Sequence, residues 1–215
     1  MPKVKIPRKS TIVDMTAMCD VAFLLLSFFI LATKQKPPEA LAVTTPNSVS
    51  SKAAPDKSII ITLAKDGRTY LSVGDDTKKT EILENINTTR ALGLTPAELN
   101  KWKKQEFIGL PLNQIKSYLN MNDLITPDKM PGIPIKDSAS NELIHWMRSI
   151  TNVYAGGDQT ALQNMLLVKG DNEALYPLFK NIKFAFKKNE IYKFRIVTNG
   201  ENIPSGSELS KKVAG

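Results

Sequence analysis

Asp20 is the only charged residue in the nineteen-residue stretch Met15–Thr33, MTAMCDVAFLLLSFFILAT. At ~1.5 Å rise per residue, a helix of that length covers roughly the hydrocarbon thickness of a bilayer. A carboxylate costs ~2.5–3.5 kcal/mol near the centre of such a span on insertion scales, and less towards an end, so something must offset it. Counted in helical steps from Asp20, positions i−4, i+4, i+7 and i+11 are Thr16, Leu24, Ser27 and Leu31. The only hydroxyls between Met15 and Ala32 therefore share its face, while the opposite surface is Leu, Phe and Val. One face suits lipid and the other a protein partner or a watery path. A residue merely tolerated near the membrane edge would leave that polar stripe unexplained, so Asp20 is the candidate functional group.

The remaining residues with chemical potential do not assemble into a site. His145 is the single histidine and has no cysteine near it, so a metal site is not expected and a helix-surface position is. Trp102, between lysines, could stack on a base or a sugar, but local packing is the simpler reading, and Trp146 reads as core. Gly170-Asp171 matches no catalytic spacing, and no Ser/His/Asp or paired-carboxylate arrangement stands out. The chain is thus not expected to be an enzyme or to hold a cofactor. Its net charge of +8 comes from lysines spread along the chain, without a zinc-finger or phosphate-loop pattern, so nucleic acid is not an expected partner. The one cysteine, Cys19, lies in the apolar run and rules out a disulfide within one chain.

The elements around Asp20 follow from composition. Residues 1–14 carry Lys3, Lys5, Arg8 and Lys9 and are expected in the cytoplasm, which places residues 34–215 outside, in a bacterial periplasm. A cleaved secretory signal is the rival reading, with Ala40-Leu41-Ala42 imitating a cleavage site, but Asp14 and Asp20 do not suit its basic leader. An uncleaved single span is expected. Residues 34–57, rich in Pro, Ala, Ser and Thr, read as a flexible linker.

The spacing predicts an α+β domain over 58–198. Ile59–Leu63 and Thr69–Val73 flank Asp66-Gly67 as a hairpin, a short helix is expected around 80–88, and Thr95-Pro96-Ala97-Glu98 opens a helix reaching to about Phe107. Leu112, Ile115 and Leu119 mark another short helix; prolines 127, 131 and 134 make a loop, and Asn141–Ile150 is helical up to Gly156-Gly157. Met165–Val168 reads as a strand, Leu175–Phe186 as an amphipathic helix and Tyr192–Val197 as a final strand, giving a βαβ unit beside the hairpin. A sheet ending in Tyr192–Val197 exposes an edge, so the domain is expected to pair with itself. The tail 199–215 is expected to be disordered.

The run Val13-Asp14-Met15-Thr16-Ala17-Met18-Cys19-Asp20-Val21 into Ala22–Phe29 resembles the membrane signature of the ExbD/TolR family, with Thr16 and Asp20 on its threonine and functional aspartate. Ile61–Leu63 with Asp66-Gly67 and Tyr70-Leu71 is similar to that family's first periplasmic hairpin, and Leu167–Asp171 through Phe194–Thr198 to its closing strand, helix and strand. Ala17 stands where proline is usual, and a mostly helical insertion over about 80–160 is extra. The resemblance implies a subunit of a motor driven by the proton motive force in the inner membrane. It would insert as a homodimer among ExbB/TolQ-like multi-span proteins and pass energy to a TonB/TolA-like protein serving outer-membrane transport or envelope integrity. Asp20 would be the proton carrier, with Thr16 and Ser27 as hydrogen-bond partners on its face. A carboxylate can change charge if its surroundings alternate between wet and dry. The alternative from another class is a tethered periplasmic binding protein, gripping peptidoglycan or a partner protein, whose span is a passive anchor.

Overall fold

The computed structural model describes residues 15–32, 41–49, 54–55, 57–121, 127–137, 140–154 and 159–202. The chain divides into two compact units, one ending at Pro37 and one starting at Pro38. In the first, a helix α1 covers Met15–Ala32 without interruption. It is long and apolar enough to cross a membrane, as its composition predicts.

The second unit is α+β. In chain order it comprises β1 (Asn47–Ser48), β2 (Ile59–Leu63), β3 (Thr69–Val73), α2 (Asp76–Thr89), α3 (Pro96–Lys103), α4 (Ile115–Asn120), α5 (Leu143–Tyr154), α6 (Gln159–Met165), β4 (Leu166–Gly170), α7 (Tyr176–Lys188), β5 (Arg195–Ile196) and β6 (Asn199–Gly200). The main sheet runs β3-β2-β4-β5. The hairpin β2–β3 is antiparallel, while β4 lies parallel to both β2 and β5, so β4-α7-β5 is the expected crossover unit. The apolar run Ile59-Ile60-Ile61-Thr62-Leu63 belongs to a central strand, and Ile59, Ile61, Leu63 and Thr62 are all buried.

The region expected as an insertion is helical, from α2 to α6, but it is not an appendage. Ile82, Leu83 and Ile86 of α2 and Leu143, Trp146, Met147 and Ile150 of α5 join Ile182 and Phe186 of α7 and the strands in one buried cluster. Trp102 and Trp146 meet edge to face at 5.6 Å in that cluster. The capping box is present: Thr95 accepts from the Glu98 N–H at 3.3 Å, and the Glu98 carboxylate accepts from the Thr95 N–H at 2.8 Å. Helix α2 starts four residues before the expected position, because Asp75 caps it by accepting the Thr77 and Lys78 N–H groups.

The same region also closes one edge of the sheet. Ile108 and Leu71 exchange both backbone hydrogen bonds at 2.8 Å, and the Ile133 N–H donates to the Thr69 carbonyl at 2.8 Å. Two glycines permit this approach. A Cβ at Gly109 would lie 2.3 Å from the Tyr70 ring; Gly132 has φ +86°, and a Cβ there would lie 2.8 Å from the Thr69 nitrogen.

Three expectations change at the ends of the domain. Residues 41–49, expected within the linker, are tied to the domain, and Asn199–Gly200, expected in the disordered tail, form a strand: β1 pairs parallel with β6. Side chains reinforce the pairing, since Thr45 Oγ1 donates to Asn199 Oδ1 at 2.8 Å. The final strand shrinks from Tyr192–Val197 to Arg195–Ile196, because Ile191 is spent closing α7, its N–H bonded to Phe186 O, and Tyr192 and Lys193 face solvent. Gly156-Gly157 and residues 203–215 lie outside the described residues.

Candidate functional site

Helix α1 has no buried residue, and its large apolar side chains are 53–85% exposed, a continuous apolar surface far beyond what a soluble helix leaves open to water. The sequence places one carboxylate on it. Asp20 is the sixth residue of the helix, about 5 Å along the axis from its midpoint at ~1.5 Å per residue. Asp20 has no hydrogen-bond or ionic partner among the described residues.

At ~100° per residue, Thr16 falls within about 40° of Asp20 around the helix and Ser27 within about 20°. The three share a face because the helix is unbroken from Met15 to Ala32. Their separations along the axis differ. Thr16 is one turn away from Asp20, in the i, i+4 relation that lets side chains meet. Ser27 is two turns away, about 10 Å along the axis, so it continues the polar stripe and is not a direct partner of the carboxylate. Cys19 is exposed and lies off that face.

The other singled-out residues serve the packing and turns of the second unit. Trp102 and Trp146 are core, 2% and 0% exposed. His145 is half-buried on α5; burial, then the neighbouring Arg90 and Arg148 charges, hold its pKa below the usual imidazole value. Asp171 serves a turn: its carboxylate accepts the Glu173 N–H at 2.9 Å and the Thr44 N–H at 3.3 Å, tying residues 41–49 to the end of β4. Lys79, which composition gave no reason to single out, is buried beside the end of α3, where its ammonium donates to the Gln105 carbonyl. Burial lowers its pKa, against Asp76 and Glu106, whose charges raise it.

A fully exposed apolar helix long enough to cross a membrane, bearing one carboxylate and followed by a small α+β domain, is the pattern of a membrane-associated protein. The family model described as biopolymer transport protein ExbD/TolR matches residues 7–201, and the chain belongs to that family. The match takes in α1 and the domain through β6. No curated protein and no solved structure matches the chain.

Proposed function

We propose that this chain is the proton-carrying subunit of an inner-membrane motor of the ExbB–ExbD or TolQ–TolR kind, and that Asp20 is the carrier. The observation that carries the reading is a carboxylate near the middle of an exposed apolar helix with no partner among the described residues to neutralise it. A group so placed needs a neighbouring protein to shield it, and an ExbB/TolQ-like multi-span partner would supply that surface against the Thr16–Asp20–Ser27 face. A proton descending the membrane potential releases about 2.3 kcal/mol per 100 mV, and a carboxylate alternating between a hydrated and a dry setting converts that into alternating helix positions. The domain relays the movement to a TonB/TolA-like protein. Asp14, at the expected cytoplasmic end, can stay hydrated there and is the weaker candidate.

The basic residues before α1 favour a cytoplasmic N-terminus and a periplasmic domain. Proteolysis of spheroplasts is expected to digest the domain and leave an N-terminal fragment in the membrane; a soluble form beginning near Val43 would mean a cleaved signal instead.

Asp20→Asn tests the carrier. Asn keeps the shape and the hydrogen bonding and cannot cycle through a charged form. The variant is expected to insert and assemble normally while energy-dependent uptake or envelope integrity is lost. Full activity at normal expression would make Asp20 structural and leave α1 a passive anchor.

A further inference from the structure

We propose that the outer face of α7 docks on an anionic phospholipid surface, so that the domain works against the bilayer crossed by α1; this rests on reading α1 as a membrane span. Helix α7, YPLFKNIKFAFKK, contains four lysines and no acidic residue. Ile182, Ala185 and Phe186 face the core. On the opposite side Tyr176, Lys180, Lys183 and Lys187 fall within an arc of about 60° at ~100° per residue, and all four are exposed.

These lysines differ from several elsewhere in the domain. Lys57, Lys78 and Lys103 pair with Asp75, Glu81 and Glu84 at 3.0, 2.8 and 3.0 Å, and Lys116 donates to the Gly93 carbonyl at 2.9 Å. None of the four α7 lysines has a carboxylate partner among the described residues. Lys183 and Lys188 rest instead over the rings of Phe179 and Phe184, at 6.0 and 5.4 Å. Leu175 and Tyr176, 65% and 66% exposed, end the stripe with an apolar step. Lysines along a helix ending in exposed Leu and Tyr match the requirements of a phospholipid interface, charge at the headgroups and an amphipathic ring at the acyl boundary.

The chain length favours a membrane over a distant polymer. Residues 41–49 belong to the domain, so only eight residues, 33–40, separate it from α1. Fully extended, they reach no more than about 30 Å.

The test uses the full chain with Cys19→Ser, a fluorophore on Tyr176→Cys or, as reference, on Thr88→Cys of α2, and vesicles carrying a headgroup quencher. Phosphatidylcholine vesicles are compared with vesicles containing phosphatidylglycerol. Quenching at position 176 should be several-fold stronger with phosphatidylglycerol, should exceed that at position 88, and should fall as salt is added. Each lysine neutralised should lower the docked-to-free ratio about fivefold, and Lys180→Gln/Lys183→Gln/Lys187→Gln together about a hundredfold. Resistance to alkaline extraction reports the span separately. A chain that extracts has lost the reading of α1, whereas a chain that stays embedded with no lipid-dependent quenching overturns the docking alone. Equal quenching at both positions also overturns it, as does lysine-dependent pelleting with peptidoglycan sacculi when lipid composition has no effect.

Discussion

In α1 a carboxylate sits on an exposed and largely apolar helix, with the Thr16 hydroxyl one turn away, whereas in the domain most polar groups withdrawn from water are answered within the chain. Asn141, 3% exposed, accepts the Leu143 N–H and donates to the Asn181 carbonyl. Glu98 is held by the N–H and hydroxyl of Thr95, and Lys79 by Gln105. A polar group paired inside its own fold is explained by that fold. Asp20 has no such partner among the described residues, and this sets it apart from the domain's Glu98.

Four substitutions break or sharpen the contrast, from the largest effect down. Asp20→Asn is expected to abolish proton-driven work while leaving the domain's unfolding midpoint unchanged; a shifted midpoint, measured in detergent, would couple Asp20 to the fold. Trp146→Ala does the reverse. It removes a fully buried ring packed on Trp102 and should cost the domain about 3–5 kcal/mol in a denaturant titration, with α1 still inserted. Gly132→Ala forces a side chain into positive φ and against the Thr69 nitrogen. A loss of about 1–3 kcal/mol is expected, and a neutral result would mean that the 127–137 segment does not close the sheet.

The smallest effect is a pH dependence. His145 has a folded pKa below its unfolded value of about 6.5, so the unfolded state binds the proton more readily. Stability should therefore fall as pH drops from about 7.5 to about 5.5, a window above the carboxylates, and His145→Gln should flatten that slope. An unchanged slope would remove His145 as its source.

Much of the domain was legible where the signal is local. Asp66-Gly67 between two β-branched runs specifies its own turn, with Gly67 at φ +88°, and Thr95–Glu98 writes its own cap. The periodic apolar residues of α7 likewise report their own burial. Pairings across long stretches of chain were not legible. Strands β1 and β6 contribute two residues each and join positions about 150 residues apart, too short for an alternating pattern. The bridge from Ile108 to Leu71 depends on two glycines whose role appears only when the strands are in place. Asp20 stood out in the sequence because a lone charge in an apolar run is a compositional signal. A partner surface of the kind proposed for it would leave no mark in this sequence.

The covered edge of β3 has a consequence for assembly. Copies of the chain held in one membrane diffuse in two dimensions and meet at high local concentration, the condition under which sheets with two open sides propagate into fibres. This sheet presents Leu71 and Thr69 already bonded to Ile108 and Ile133, leaving the side beyond β5 without a further strand among the described residues. A body with one adhesive flank can join one neighbour and then has nothing left to offer. Pairing through that flank of the main sheet would therefore join two copies and leave no further open edge of that sheet among the described residues.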